Sequence, residues 1–368
     1  MNTTPRRLAS VGLAVLLIVG VGFGIVTSIH PGSPSASPTA ATVTLTGVIG
    51  SEKLPFFQDQ RVIAALARAG FAVNVTTAGS RSIAQSDLSK DDFAFPAGAP
   101  AAQKIKADHS GSTIYQPFYT PMVVASWKPI VNLLLTAGVA HQRSGFIGLD
   151  MDAFIKLVQK GTRWTDLIGN TDYQVNKSVL ITSTDPRTSN SAAMYLSLAS
   201  YVANGDNIVQ SEADVSSVMP VVSPLFLKQG FVENSSEVPF DDYLVQGMGK
   251  SPMVMIYESQ WITRVAANDG SITPNMQLMY PEPTIFSKHS FVALSDNARR
   301  LGDFLGTDPG IRSLEVEYGF RTSDTAAFRS FLTTHKVDIP DSLVSVIDPP
   351  TFETLEKMIT TLTQLYGS

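Results

Sequence analysis

Apolar strands and amphipathic helices alternate along this chain from residue 42 onward, and that alternation restricts the fold more than any other feature. Thr42–Ile49 (TVTLTGVI) reads as a strand, Lys53–Ala69 as an amphipathic helix closed by Gly70, and Phe71–Thr76 as a second strand. Asp92–Phe95 is a third, followed by Pro96-Ala-Gly-Ala-Pro100 and a helix through Lys106. Strands separated by helices imply an α/β fold, a parallel sheet with helices on both faces. The strand Tyr119–Ala125 contains Pro121, which lacks the N–H of a central ladder and so implies an edge or crossing position. Helices are expected over Lys128–Ala137, Met151–Lys160, Ala192–Val202, Ala298–Leu305 and Phe352–Tyr366. Further strands are expected over Val179–Thr182, Met253–Tyr257 and Ser290–Leu294, with Met276–Met279 between the last two. No internal repeat is present.

Ahead of this pattern, Leu8–Ile29 runs 22 residues without a charge, long enough to cross a bilayer as a helix. Arg6 and Arg7 precede it, and no Lys or Arg follows until Lys53. That asymmetry places the N-terminus in the cytoplasm and the rest of the chain outside. The expected product is a single-pass, membrane-anchored protein with an extracellular domain. Cleavage near Ala36 or Ala40–Ala41 would instead give a secreted one. His30–Ala41, rich in Pro, Ser and Ala, reads as a spacer.

Composition removes whole classes of function. Without a cysteine among 368 residues there is no disulfide, thiolate metal site, cysteine nucleophile or lipid-bearing cysteine. A net charge of -5 with interspersed signs argues against a nucleic-acid partner. Histidines 30, 109, 141, 289 and 335 are dispersed, with no paired metal spacing, and no GxSxG elbow occurs. Gly249-Lys250-Ser251 ends like a phosphate loop, but Leu244 stands where its first glycine belongs. The adjacent carboxylates Asp91-Asp92 and Asp241-Asp242 read as solvated or capping pairs, and Trp127, Trp164 and Trp261 as packing residues. The expectation is a binding protein, not an enzyme, with neither cofactor nor metal.

Three loops share one form, an apolar strand, a small-polar turn and then a helix: Gly50-Ser51-Glu52, Gly79-Ser80-Arg81 and Arg187-Thr188-Ser189-Asn190-Ser191. In open α/β sheets ligands lie at the carboxyl ends of strands, against helix N-termini whose free N–H groups favour an anion. Glycine allows close approach and serine adds a rotatable donor. The plainer alternative is that these serines are helix caps. Arg81 and Arg187 suit a carboxylate or phosphate held bidentately, although Asp185 offers Arg187 a salt-bridge partner.

From Thr42 to Ala326 the chain resembles the type II extracellular solute-binding proteins of ABC transporters, in particular the molybdate-binding branch. The residues that carry the likeness are Gly50-Ser51, Ser80, Trp164-Thr-Asp-Leu, Ile256-Tyr-Glu-Ser259, Tyr280-Pro281, Phe304-Leu305 and Glu317-Tyr-Gly-Phe320, in that order. The resemblance implies a two-lobed α/β fold that closes on a small anionic solute and docks on a membrane permease. Lobe one would take 42–118 and lobe two 119–257. Residues 258–368 would return to lobe one and add C-terminal helices. By the same resemblance Ser51, Ser80 and Tyr257 would touch the ligand, with Thr188, Ser189, Asn190 and Ser191 supplied by lobe two. An anchored sensor or envelope-assembly protein on the same fold is the alternative to transport.

Overall fold

The computed structural model describes residues 42–229 and 233–366, so the expected anchor over 8–29 and the spacer over 30–41 lie outside the described residues. No helix among the described residues is long and apolar enough to cross a membrane.

The chain opens with β1 (Val43–Ile49) and a 3-10 turn over Ser51–Lys53, then α1 (Leu54–Gln58) and α2 (Gln60–Arg68). The one helix expected over Lys53–Ala69 is therefore broken at Asp59. Its backbone is extended there, and its carboxylate accepts the Arg61 N–H to cap a new helix. Next come β2 (Phe71–Thr77), α3 (Ser80–Gln85), β3 (Phe93–Phe95) and α4 (Ala99–Asp108). The long β4 (Thr113–Trp127) leads to α5 (Lys128–Thr136), the hairpin β5 (Ala140–Arg143) and β6 (Phe146–Asp150), and α6 (Met151–Gln159). A helical stretch follows: α7 (Asn190–Ala203), α8 (Glu212–Val222), α9 (Pro224–Leu227) and α10 (Glu237–Gln246). After β7 (Met253–Tyr257) and α11 (Glu258–Ala267) come β8 (Met276–Glu282) and β9 (Thr284–Ala293). The chain ends with α12 (Asp296–Thr307), α13 (Pro309–Glu317), β10 (Arg321–Thr322), α14 (Thr325–His335), β11 (Val346–Ile347) and α15 (Phe352–Tyr366).

Two sheets share β4. In the first, β1 lies parallel to β2 and β3, and β9 runs antiparallel to β3 and β4. In the second, β4 pairs antiparallel with β7 and β8, while β6 lies parallel to β8 and antiparallel to β5. The neighbour of β4 changes at Pro121, which faces Phe286 of β9, whereas Met122 faces Tyr257 of β7. A residue without an N–H fits where one ladder stops and the next begins.

Three expectations are corrected. The sheets are mixed, because β4, β7, β8 and β9 return antiparallel where the alternation suggested parallel pairing. Val179 and Ile181 are buried, but the segment Val179–Thr182 joins the second sheet through one bridge only, Thr182 to Val254, so it is no strand. A four-residue apolar run carries no period that separates the two outcomes. Finally, β8 belongs to the second sheet, so the chain returns to the first sheet with β9 rather than at residue 258.

Each sheet is covered on both faces. Leu45, Phe56, Phe95, Phe118, Phe291 and Leu301 pack on one side of the first, and Ile83, Ala101, Ile105 and Val292 on the other. The second is flanked by a large core including Met122, Phe154, Leu196 and Met255, and by a smaller one with Phe240, Trp261 and Phe328. A buried ion pair joins the sheets: Arg321 of β10 donates to both oxygens of Glu258, at 2.6 and 2.8 Å. Tyr280 Oη donates to the same carboxylate, and Arg321 also reaches the Pro340 and Asp341 carbonyls, so every polar atom of this pair that leaves water gains a partner.

Candidate functional site

The ends of β1, β2 and β7 and the start of α7 meet at one cleft between the two sheets. Gly50, Ser51, Glu52, Gly79 and Ser80 line it from the first lobe; Thr188, Ser189, Asn190, Asn234–Ser236 and Tyr257 line it from the second. Its inner volume is about 40 Å3, room for little more than one or two waters. Through Ser51, Glu52, Ser235 and Ser236 it opens into a mouth of about 510 Å3, bordered by Glu237, Gln260, Arg264, Asp269 and Tyr318.

The inner cleft is small because the lobes touch. Asn190, in the first turn of α7, donates its amide to Tyr257 Oη at 3.1 Å and to Ser287 Oγ on β9 at 3.3 Å. Its carbonyl oxygen lies against Gly98, where a Cβ would sit only 2.5 Å away. At Gly79 a Cβ would fall on the Thr188 carbonyl oxygen. Gly79 thus lets the backbones of the lobes meet, and Gly98 admits the Asn190 side chain.

One charged cluster borders this cleft. Glu52 curls back over Gly50 and pairs with Lys53, whose Nζ is 3.2 Å from His289 Nδ1; Glu52 Oε1 is 3.4 Å from that same nitrogen. Lys53 and His289 have no exposed surface, and Lys53 also lies 4.9 Å over the Phe95 ring. Burial raises the Glu52 carboxyl pKa, but Lys53 and His289 outweigh it and hold the group well below the usual carboxylate range. Burial, then the Lys53 charge, pushes His289 down to about 4, so the imidazole is neutral. A neutral ring accepting at Nδ1 carries its proton on Nε2, which is buried without a partner among the described residues. Burial and the Glu52 carboxylate push the Tyr257 phenol far above its ordinary range, leaving it a neutral hydrogen-bonding group.

With this geometry established, comparison with known proteins is informative at the level of fold. No family model matches the sequence, and no curated protein matches it. Solved structures do. The periplasmic binding protein AfuA from Actinobacillus pleuropneumoniae, with fructose-6-phosphate bound, is similar at a TM-score of 0.53 and 10% identity, over 87% of this chain and 98% of that one. The Trichodesmium protein IdiA (FutA), in complex with iron and citrate, gives 0.52 and 9%, over 88% and 98%. A periplasmic thiamin-binding protein gives 0.51 and 12%, over 90% and 98%. This is the fold of the type II periplasmic solute-binding proteins.

Within that binding fold the sequence-predicted residues divide. Ser51, Ser80, Thr188, Ser189, Asn190 and Tyr257 line the cleft. Ser191 stands just behind, its hydroxyl bonded to Ser189 Oγ at 2.9 Å and Thr184 Oγ1 at 2.8 Å. Neither Ser80 nor Ser189 caps a helix through its side chain; Ser80 Oγ accepts the buried Ala97 N–H at 2.9 Å. Arg81 and Arg187 line neither the cleft nor its mouth. Arg81 pairs with Glu356 at 2.5 Å, and Arg187 makes a forked pair with Asp185 while its guanidinium stacks 5.0 Å from the Tyr366 ring. Expected as ligand groups, both have found protein partners instead.

Sequence reasoning missed Glu52 as a site residue, along with Lys53, His289, Ser287 and Asn234–Ser236. Glu52 carried a signal, since it directly follows Gly50-Ser51. His289 carried none, because its 236-residue separation from Lys53 is closed only by β9 pairing with β3, the neighbour of β1. A roomier groove of about 710 Å3, lined by Arg143, Tyr280, Glu282 and Leu343–Ser345, lies elsewhere. Its Arg143 and Glu282 satisfy each other at 2.6 Å, so it offers no such convergence of donors.

Proposed function

We propose that this chain is an extracellular solute receptor that traps a small anion between its lobes and delivers it to a membrane permease of the ABC type. One observation carries the reading: segments remote in sequence, from both lobes, bring Ser51, Ser80, Ser189, Asn190 and Tyr257 to a single cleft. An anion leaving water needs several donors at once, and these are neutral hydroxyl, amide and phenol groups. The N-terminus of α7, with its unpaired N–H groups, adds positive potential there. Glu52 is the charged side chain of the inner cleft, and the buried ammonium of Lys53 offsets it locally. Neutral donors, with both arginines engaged elsewhere, suit an oxyanion of the sulfate or molybdate type better than a ligand demanding a guanidinium fork.

The reading is of a binder without turnover, held at the outer face of the membrane by residues 8–29, or released if those are cleaved. Thermal-shift screening against oxyanions, phosphate esters, carboxylates and amines tests it, because a ligand raises stability by mass action. Stabilisation by amines but by no anion would refute the anion reading.

A second reading, sensing or envelope assembly without transport, is favoured by one observation: Asn190 already fills the inner cleft from across the lobes. Solute uptake measured with and without the protein separates the two.

A further inference from the structure

The C-terminal helix α15 belongs to both lobes. Leu355, Met358, Ile359 and Leu362 follow the i, i+3, i+4, i+7 spacing of one helix face and bury in the large core of the second lobe, against α7 and α8. Lys357 adds an ion pair to Glu212 of α8 at 2.6 Å. At its N-terminal end, by contrast, Phe352 packs into the first lobe with Ile83 of α3 and Ala101, Ala102 and Ile105 of α4. Glu356, one turn further on, receives Arg81 Nε at 2.5 Å on one oxygen and Gln85 Nε2 at 3.0 Å on the other, both from α3. The far end of the helix offers Tyr366 to the Arg187 guanidinium. Arg81 itself reaches across to the Arg187 carbonyl oxygen at 3.3 Å. The two arginines that flank the cleft in sequence are thus both engaged by α15, one from each lobe.

We propose that α15 is a strap that holds the lobes together in the solute-free protein, with Glu356 as its latch. A helix anchored by its apolar face to one lobe and by a two-pronged carboxylate to the other resists their separation. Its grip is independent of what the cleft binds. It closes the rim of the cleft beside Arg81 and Arg187, so solute enters through the mouth between Ser51-Glu52 and Ser235-Ser236, which α15 does not line. Solute-driven closure of this molecule then starts from lobes already in contact, and release requires the Glu356 pairings to break.

The test uses the full chain, whose lack of cysteine permits clean labelling. Spin labels on Lys106→Cys (α4) and Lys160→Cys (after α6), both exposed, report the separation of the lobes by pulsed electron resonance. Solute-free protein should give one narrow distance distribution. Arg81→Ala and Glu356→Ala should each broaden it toward longer distances, and the charge swap Arg81→Glu with Glu356→Arg should narrow it again. Glu356→Gln, which keeps the side chain's shape, guards against a folding defect and should broaden it less. A broad distribution in the parent, or one left unchanged by all three single substitutions in folded protein, overturns the proposal and makes α15 a packing helix only.

Discussion

Lys53 Nζ lies 3.2 Å from His289 Nδ1, with neither side chain exposed and with the Glu52 carboxylate touching both. A buried lysine and a buried neutral histidine meet the Glu52 carboxylate at the wall of the cleft, and their charge balance predicts sensitivity to acid. His289 titrates near 6.5 when unfolded and about 4 when folded. The unfolded state therefore binds more protons between those values, and stability falls as pH drops from 6.5 toward 4. The depressed Glu52 carboxyl acts in the same sense below its unfolded value of 4.5. The His289 contribution is on the order of 3 kcal/mol. Denaturant unfolding of the parent and of His289→Phe at pH 7 and pH 4.5 should show a markedly smaller pH difference in the variant. Equal differences would mean His289 is not the titrating group.

Glu315 on α13 predicts the opposite sign. Both its oxygens are buried and without a partner among the described residues, and burial pushes its carboxyl well above the usual range, against the weaker pull of Arg312. A raised folded value stabilises below the unfolded 4.5 and loses that advantage as pH climbs through the folded value. Glu315→Gln should thus raise stability at pH 8 by about 1–3 kcal/mol and change little at pH 4. Calorimetric melting at the two pH values checks this; a variant less stable at pH 8 would contradict it.

Gly79 and Gly98 are where a methyl group should act as a wedge. Their φ values, -66° and -122°, are open to alanine, so the backbone is not strained by substitution. The added Cβ would instead strike Thr188 and Asn190 across the cleft. Gly79→Ala should leave each lobe folded while holding the two apart, read as a larger radius of gyration in solution scattering. An unchanged radius would mean the contact yields locally.

Ser51→Ala and Ser80→Ala should each weaken affinity for an identified anion by roughly one to two decades, the value of a hydrogen bond to a charged group. Ser80→Ala also strands the Ala97 N–H and should cost about 1 kcal/mol of stability, whereas exposed Ser51 has little to lose. Titration calorimetry decides; unchanged affinity in both would place the pocket elsewhere.

Glu52→Gln addresses ligand charge directly. Removing the carboxylate at the junction of cleft and mouth takes away a like charge and should tighten an anion by several-fold. If Glu52→Gln instead abolishes binding of an amine while anions stay inert, the solute is a cation and Glu52 is its partner.

Much of this was legible in the residues themselves. Periods placed α5 and α6, and apolar runs bounded by turn residues placed β1, β2, β3 and β7, to within a few residues; β3 and β7 are buried at every position and read as continuous apolar runs. Gly50-Ser51 and Gly79-Ser80 were identifiable because a strand-end turn before a helix demands small residues and leaves N–H groups free; Thr188–Asn190 is the same kind of small-polar turn before a helix, though no strand precedes it. What periodicity cannot express is which neighbour a strand takes. That β4 trades β9 for β7 at Pro121, and that β9 lies beside β3 and so brings His289 to Lys53 beyond the end of β1, follows from long-range pairing alone. Arg81 and Arg187 show the same limit: a guanidinium is attracted equally by a ligand carboxylate and a protein one. Only the packing of α15 against α7 and α8 put Glu356 and Tyr366 within reach, and in doing so gave both expected ligand groups protein partners.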